Sequence, residues 1–122
     1  LSLYELMKVK IDQDSVCLRY GAIPIYSPPD LKIGISRETR NKKIFPVNGL
    51  RHPPEADTTG WFIWAGEEYS DDADFFVPLH VEHLIDWRPE ILKYLALPPG
   101  YRFLLGEHGY EDVWFDENLL NV

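Results

Sequence analysis

The stretch Gly60-Trp61-Phe62-Ile63-Trp64-Ala65-Gly66 decides the fold that we expect for this chain. It is short, apolar and aromatic, and a glycine bounds it at each end, which is typical of a buried strand. We therefore predict a core strand over Trp61 to Trp64. Because side chains alternate along a strand, the two tryptophans lie on opposite faces of the sheet. One of them faces the main core, and the other is exposed or is covered by a loop or a partner.

Strand and helix patterns surround this core strand on both sides. Short apolar or alternating runs predict six further strands, over 16–20, 31–35, 44–47, 75–79, 101–105 and 112–115. Helical spacing predicts a short helix within 2–11 and two helical pieces, over 80–85 and over 89–95. Loops are predicted at 23–29, 37–43, 48–59 and 67–74. This order predicts an α+β fold in a single domain, 1–122: a mainly antiparallel sheet with a short helical insertion before the last two strands.

Two of the predicted strand regions carry information about position in the sheet. Pro78 cannot donate a hydrogen bond to a neighbouring strand, so it confines 75–79 to an edge or to the start of an element. The short loop 106–109 between the last two strands is compatible with a β-hairpin.

The charge of the chain is strongly uneven. The chain has 20 acidic residues against 12 Lys or Arg, which gives a net charge of −8. Residues 1–61 hold nine bases and seven acids, whereas residues 62–122 hold three bases and thirteen acids. An acidic half argues against nucleic-acid binding, because phosphates need clustered Lys and Arg. It is compatible with attraction to a basic protein partner, although acidic surfaces also keep many proteins soluble.

The expected compartment follows from the apolar runs and from the cysteine count. No apolar run is long enough to span a bilayer, and residues 1–10, which include Glu5, do not read as a signal peptide. The single cysteine, Cys17, permits no intrachain disulfide and fits a reducing compartment. We therefore expect a cytoplasmic protein without membrane contact, with Cys17 buried on strand 16–20. Because the first residue is not methionine, we expect the native start to lie upstream or to have been altered.

The residues capable of catalysis or metal binding match no known constellation. His80 and His83 are three positions apart, whereas a zinc-protease helix spaces its histidines four apart with a Glu between them. The carboxylates of 67–74 lack the central glycine and the register of a calcium-binding loop. Neither Cys17 nor any serine lies in a nucleophile motif, and no glycine-rich phosphate loop follows a strand. We therefore predict no catalytic residue, no metal and no cofactor.

Several segments are recognisable as a set when they are taken in order. They are Gly49-Leu50-Arg51-His52-Pro53-Pro54, Gly60 to Glu68, Phe75 to His80, Pro89-Glu90-Ile91-Leu92, Leu97-Pro98-Pro99-Gly100, Arg102-Phe103 and Tyr110 to Asp116. From about Ile33 to Leu120 the chain therefore resembles the immunity protein 33 family of bacterial polymorphic toxin systems. The resemblance implies a cytoplasmic α+β protein that protects its producer by binding a cognate toxin. It implies no catalytic residues and does not say which residues touch the toxin.

We expect the toxin-binding surface on the loop 67–74 together with a neighbouring aromatic side chain. The candidate contact residues are Trp64, Glu67, Glu68, Tyr69, Asp71, Asp72 and Asp74. Their charge suits a basic toxin surface, such as one that holds nucleic acid. Two other functions stay open: a non-catalytic regulatory or scaffold module, and a small hydrolase that uses scattered carboxylates and His80 or His83.

Overall fold

The computed structural model describes residues 1–121. Its α-helices are α1 (Leu3–Arg19) and α2 (Leu84–Trp87). Its strands are β1 (Lys32–Ser36), β2 (Val47–Arg51), β3 (Thr58–Ala65), β4 (Phe76–His80), β5 (Tyr101–Leu105) and β6 (Glu111–Phe115). Short 3-10 helices cover Arg37–Arg40, Val81–His83, Pro89–Tyr94, Glu107–Gly109 and Glu117–Leu120.

The six strands form one sheet in the order β4-β1-β3-β2-β5-β6. Within it β1 and β3 run parallel, and the other four neighbouring pairs are antiparallel. The helical segments between Val81 and Tyr94 come just before β5 and β6 in the chain. The predicted α+β class, the mainly antiparallel sheet and the helical insertion before the last two strands are therefore confirmed. β4 is an edge strand, which is one of the two positions that Pro78 permits, and β5 and β6 form the expected hairpin.

The two faces of the sheet are covered differently. On the helical face, Trp61, Ile63 and Phe103 belong to the main core, which also includes residues of α1 and of the segment 81–97. The opposite face, called the open face below, carries a smaller cluster with Leu50 and Trp64. Trp61 is 1% exposed and Trp64 is 6% exposed. The two tryptophans thus lie on opposite faces, and each is buried by a different set of neighbours.

The predicted strand over 16–20 is wrong, because residues 16–19 form the last turn of α1 and Tyr20 caps it. A capping box starts this helix: Ser2 Oγ accepts from the Glu5 amide, and the Glu5 carboxylate accepts from the Ser2 amide, each at 3.1 Å. Val16 and Cys17 lie on the buried side of this helix and are each 1% exposed. The predicted burial of Cys17 is therefore confirmed. A short apolar run does not distinguish a strand from one buried side of a helix.

The prediction for 44–59, a strand over 44–47 followed by a loop over 48–59, is also wrong. The strand is β2, Val47–Arg51, and β3 already begins at Thr58. The Asn48-Gly49 pair reads as a turn, but β2 lies between β3 and β5, and that pairing overrides the local preference. Gly49 is needed there because a Cβ atom would lie 2.1 Å from the Phe103 ring.

A half-buried carboxylate ties α1 to the hairpin. Glu111 Oε2 accepts hydrogen bonds from Arg19 Nη2 at 2.7 Å and from the Tyr20 hydroxyl at 2.8 Å. Its Oε1 accepts from the hydroxyl of the fully buried Tyr94 at 2.5 Å. Burial raises the pKa of Glu111, but the three hydrogen bonds outweigh this effect and leave it below its ordinary value. Burial, together with the neighbouring carboxylate, also raises the pKa of Tyr94, which therefore stays a donor.

We expect Glu111→Gln to lower the free energy of unfolding by about 2–3 kcal/mol at pH 7, because three donors lose a charged acceptor. A carboxyl whose pKa is lower in the folded state contributes stability above its unfolded pKa and loses it as the pH falls through the folded value. The parent should therefore lose this contribution below pH 4.5, the ordinary value for Glu. The variant should lose less stability between pH 6 and pH 3, measured by urea unfolding. Glu107→Gln, an exposed change in the same hairpin, is the control and should behave like the parent.

Candidate functional site

The loop from Glu67 to Asp74, called the acidic loop below, joins β3 to β4. Because β1 lies between these two strands in the sheet, the loop crosses the end of β1. Gly66, with a φ of +99°, turns the chain away from β3 in a conformation that favours glycine. The Ala65 amide donates to Ser36 Oγ at 3.2 Å, which ties the ends of β1 and β3 together where the loop begins.

Five carboxylates project from the acidic loop into solvent. All five belong to exposed residues, and within residues 1–121 none of them forms an ion pair: Glu67, Glu68, Asp71, Asp72 and Asp74. The turn is shaped by Asp72, whose Oδ1 accepts from the Asp74 amide at 3.0 Å and whose carbonyl accepts from the Phe75 amide at 3.0 Å. The loop therefore presents concentrated negative charge without a neutralising neighbour.

An aromatic cluster holds the acidic loop against the open face; it consists of Phe62, Trp64, Tyr69, Phe75 and Phe76. The Tyr69 ring centroid lies 5.3 Å from that of Trp64 and 6.0 Å from that of Phe76. Tyr69 remains 55% exposed, whereas Trp64 is 6% exposed. The structure thus brings the two predicted aromatic residues together, with Tyr69 on the surface and Trp64 supporting it from below.

Three residues of the aromatic cluster are not among the candidate residues that the sequence predicts: Phe62, Phe75 and Phe76. Phe62 and Trp64 occupy alternate positions of β3, so the alternation rule predicts their shared face. The contact between Phe62 and Phe76, whose centroids are 5.2 Å apart, crosses β1. It depends on Gly34, since a Cβ atom there would lie 2.8 Å from the Phe62 ring. No local sequence pattern signals that contact.

Cavities surround the aromatic cluster on the open face and under the loop. One of about 360 Å³ lies between His52, Glu55 and Phe62. A second of about 220 Å³ lies on the other side of Phe62, towards Pro78 of β4. A third of about 310 Å³ lies beneath the start of the acidic loop and is lined by Glu38, Glu67 and Glu68, among other residues. The open face is therefore indented on both sides of Phe62, and a separate hollow lies beneath the acidic loop.

The histidine pair lies apart from this cluster. The ring centroids of His80 and His83 are 6.0 Å apart, and His83 Nε2 lies 3.6 Å from the Glu82 carboxylate. Across residues 1–121, no three His, Cys, Asp or Glu side chains are grouped so that they could hold a metal ion.

None of the helices within residues 1–121 has the length and apolar character needed to cross a membrane.

A model of the Imm33-like domain matches residues 12–116, which include the C-terminal part of α1, all six strands and the acidic loop. Comparison with curated proteins and with solved structures finds no match. Since the family model covers well over half of the sequence, the chain belongs to the Imm33-like domain family.

Proposed function

We propose that this chain is an immunity protein that binds a cognate toxin and neutralises it by stoichiometric occlusion. One observation carries the proposal: five exposed carboxylates without ion pairs stand beside an exposed, well-supported Tyr69 ring. Membership in the Imm33-like domain family supports the same role. The complex would form in the cytoplasm, where a single reduced cysteine is stable.

The charges favour a basic partner. Residues 62–122 hold thirteen acids and three bases, and the acidic loop contains five of those acids. Such a field speeds the encounter with a positively charged surface and slows the encounter with a negative one. A toxin that acts on nucleic acid needs a basic groove for phosphates, and the acidic loop would compete for that groove.

The aromatic cluster would supply affinity where the charges supply speed. Aromatic side chains at the centre of an interface often contribute most to binding, because they bury a large area with few rotatable bonds. Tyr69 is the exposed member of the pair, and Trp64 fixes its position. Covering the toxin surface is sufficient for protection, so the proposed role requires no catalytic residue in this chain.

The direct test is co-expression of this chain with the toxin encoded beside its gene. We expect the two proteins to co-purify in a one-to-one complex and the toxin to lose activity in proportion to the chain added. Isothermal titration calorimetry gives the stoichiometry, and the toxin's own assay gives the inhibition. A neighbouring toxin that remains fully active with excess chain would contradict the proposal.

We expect the triple variant Asp71→Asn, Asp72→Asn, Asp74→Asn to associate with the toxin about tenfold more slowly at low salt, because long-range attraction is reduced. Asparagine keeps an oxygen that can accept from the residue 74 amide, so the turn is retained. The dependence of the association rate on salt should also become weaker. Stopped-flow mixing of the purified proteins at several salt concentrations measures both effects.

The matched control removes the same charge elsewhere. Asp30→Asn, Glu82→Gln, Asp86→Asn changes three exposed acids outside the acidic loop. At about 0.15 M salt its association rate should stay within about twofold of the parent, since exposed charges beyond a Debye length of about 8 Å act weakly. Equal slowing by both triple variants would show that net charge matters and that the acidic loop is not the contact.

A further inference from the structure

The two edges of the sheet differ in whether they can accept another strand. β4 forms one edge and contains Pro78, which has no N–H to offer a neighbour. β6 forms the other edge and contains no proline. Proteins commonly block an exposed edge, because its unpaired backbone groups recruit other strands. Here one edge is blocked and the other is left open.

The hairpin shows which backbone groups of β6 point outward. The Asp116 amide donates to the Gly100 carbonyl at 2.7 Å, and the Gly106 amide donates to the Tyr110 carbonyl at 2.9 Å. In an antiparallel pair, inward and outward residues alternate. The backbone N–H and C=O groups of the even-numbered residues of this strand therefore point towards β5. Those of the odd-numbered residues Glu111, Val113 and Phe115 point outward. Within residues 1–121 these outward groups form no backbone hydrogen bond.

The side chains around this edge are aromatic and acidic. Tyr110 is 60% exposed, Phe115 is 50% exposed and Trp114 is 38% exposed. Between positions 107 and 117 there are five acids and neither Lys nor Arg. Glu111 is engaged with α1 and Asp116 with Arg102, while Glu107, Asp112 and Glu117 remain exposed. Exposed rings, unpaired backbone groups and free carboxylates together suit the binding of a positively charged strand.

We propose that the open edge of β6 binds an extended, basic segment of the toxin as a seventh strand. This inference rests on the proposed function, since it takes the segment to belong to the toxin. The outward backbone groups would supply hydrogen bonds, and alternating side chains of the segment would reach the exposed rings and the carboxylates. A second copy of β6 is a poor occupant, because it would bring two edges rich in acids side by side, and their negative charges would repel each other. A toxin segment with lysine or arginine at alternate positions would instead place positive charges beside the carboxylates of this edge.

The test follows individual amides by NMR. The chain is mixed with the toxin identified by co-purification and, separately, with about 1 mM of the peptide Lys-Val-Lys-Val-Lys-Val, a concentration suited to weak binding. In the free chain, the Glu111, Val113 and Phe115 amides should exchange with solvent faster than those of Asp112 and Trp114, which face β5. Both partners should slow the three outward amides at least about tenfold, which is the expected result for added ladder hydrogen bonds.

A neutralised edge and its matched control complete the design. Asp112→Asn, Glu117→Gln should weaken peptide binding about three- to tenfold, because two free carboxylates are lost. Asp30→Asn, Glu82→Gln removes the same charge elsewhere and should leave peptide binding unchanged. A Glu-Val-Glu-Val-Glu-Val peptide should not bind.

The outcomes separate this inference from the proposed function. A toxin that binds and is inhibited without slowing exchange at β6 would overturn the edge inference and leave the proposed function standing. Slowed exchange at β6 with the basic peptide, but no binding by the neighbouring toxin, would support strand pairing at this edge and overturn the proposed function as an inhibitor of that toxin. Slowed exchange that grows with the concentration of the chain alone would identify a second copy as the occupant and overturn the inference.

Discussion

Replacing Arg51 with methionine should lower the free energy of unfolding by about 3–5 kcal/mol, because a buried donor network is removed. Arg51 is 1% exposed. Its Nε donates to the carbonyl of Thr59 at 2.9 Å, and its Nη1 donates to the carbonyls of Ile25 at 2.6 Å and Leu97 at 2.9 Å. Methionine occupies a similar space but offers no donor, so all three carbonyls lose their partner.

The effect should be large because Arg51 joins separate parts of the chain. The three carbonyls belong to β3, to the loop after α1 and to the segment that precedes β5. Burial lowers the pKa of Arg51 to about 10, so the group remains charged at neutral pH. Backbone carbonyls, rather than a carboxylate, therefore compensate this charge.

Urea unfolding followed by tryptophan fluorescence measures the change. Arg37→Met is the matched control, since Arg37 is exposed, and it should shift stability by less than about 0.5 kcal/mol. If the Arg51 variant fails to accumulate, Arg51→Lys offers a milder form, with one ammonium in place of the planar fork. Unfolding of the methionine variant at the same urea concentration as the parent would contradict the assigned role.

Gly60→Ala should be about as severe, with an expected loss of about 3–5 kcal/mol. Gly60 has a φ of +89°, which other residues rarely adopt. A Cβ atom at this position would lie 1.9 Å from the carbonyl oxygen of His52, a backbone atom that cannot rotate away. The His52 amide also donates to the Gly60 carbonyl at 2.9 Å, so the two segments are held together at this point.

A second glycine separates the two causes of that loss. Gly109 has a φ of +79°, but an added Cβ atom there would meet no atom within 4 Å. Gly109→Ala should therefore cost only the backbone strain, about 1–2 kcal/mol. Thermal unfolding by circular dichroism compares the two variants. Equal losses would mean that the close approach to His52 contributes nothing.

The charged part of the candidate site could be predicted from the sequence, and its aromatic part only partly. A run such as Glu67 to Asp74 cannot be buried without partners, so its exposure follows from composition alone. That Tyr69 covers Trp64, and that Phe62 reaches Phe76 across Gly34, depends on which strands are neighbours. Local sequence patterns do not predict strand order, because it is set by contacts between residues far apart in the chain.

The errors at α1 and β2 have the same origin. The apolar run that includes Val16 and Cys17 fits a strand as well as one side of a helix, and in the structure it forms the end of α1, with these two side chains packed into the core. Asn48 and Gly49 favour a turn locally, but β2 gains pairing on both sides from β3 and β5. In each segment the neighbours that decide the conformation come from distant positions in the sequence.

The amino-acid sequence alone determined the α+β class, the core strand around Trp61 to Trp64, the restriction of the Pro78 segment to an edge or an element start, and the exposed acidic loop. These features follow from local physical chemistry: side-chain alternation, the missing proline N–H and the cost of burying charge. The tertiary structure alone decided the strand order, the placement of Arg51 among backbone carbonyls and the unpaired edge of β6. Those features arise where segments distant in sequence meet, since a carbonyl or an edge acquires its partner only when the chain has folded.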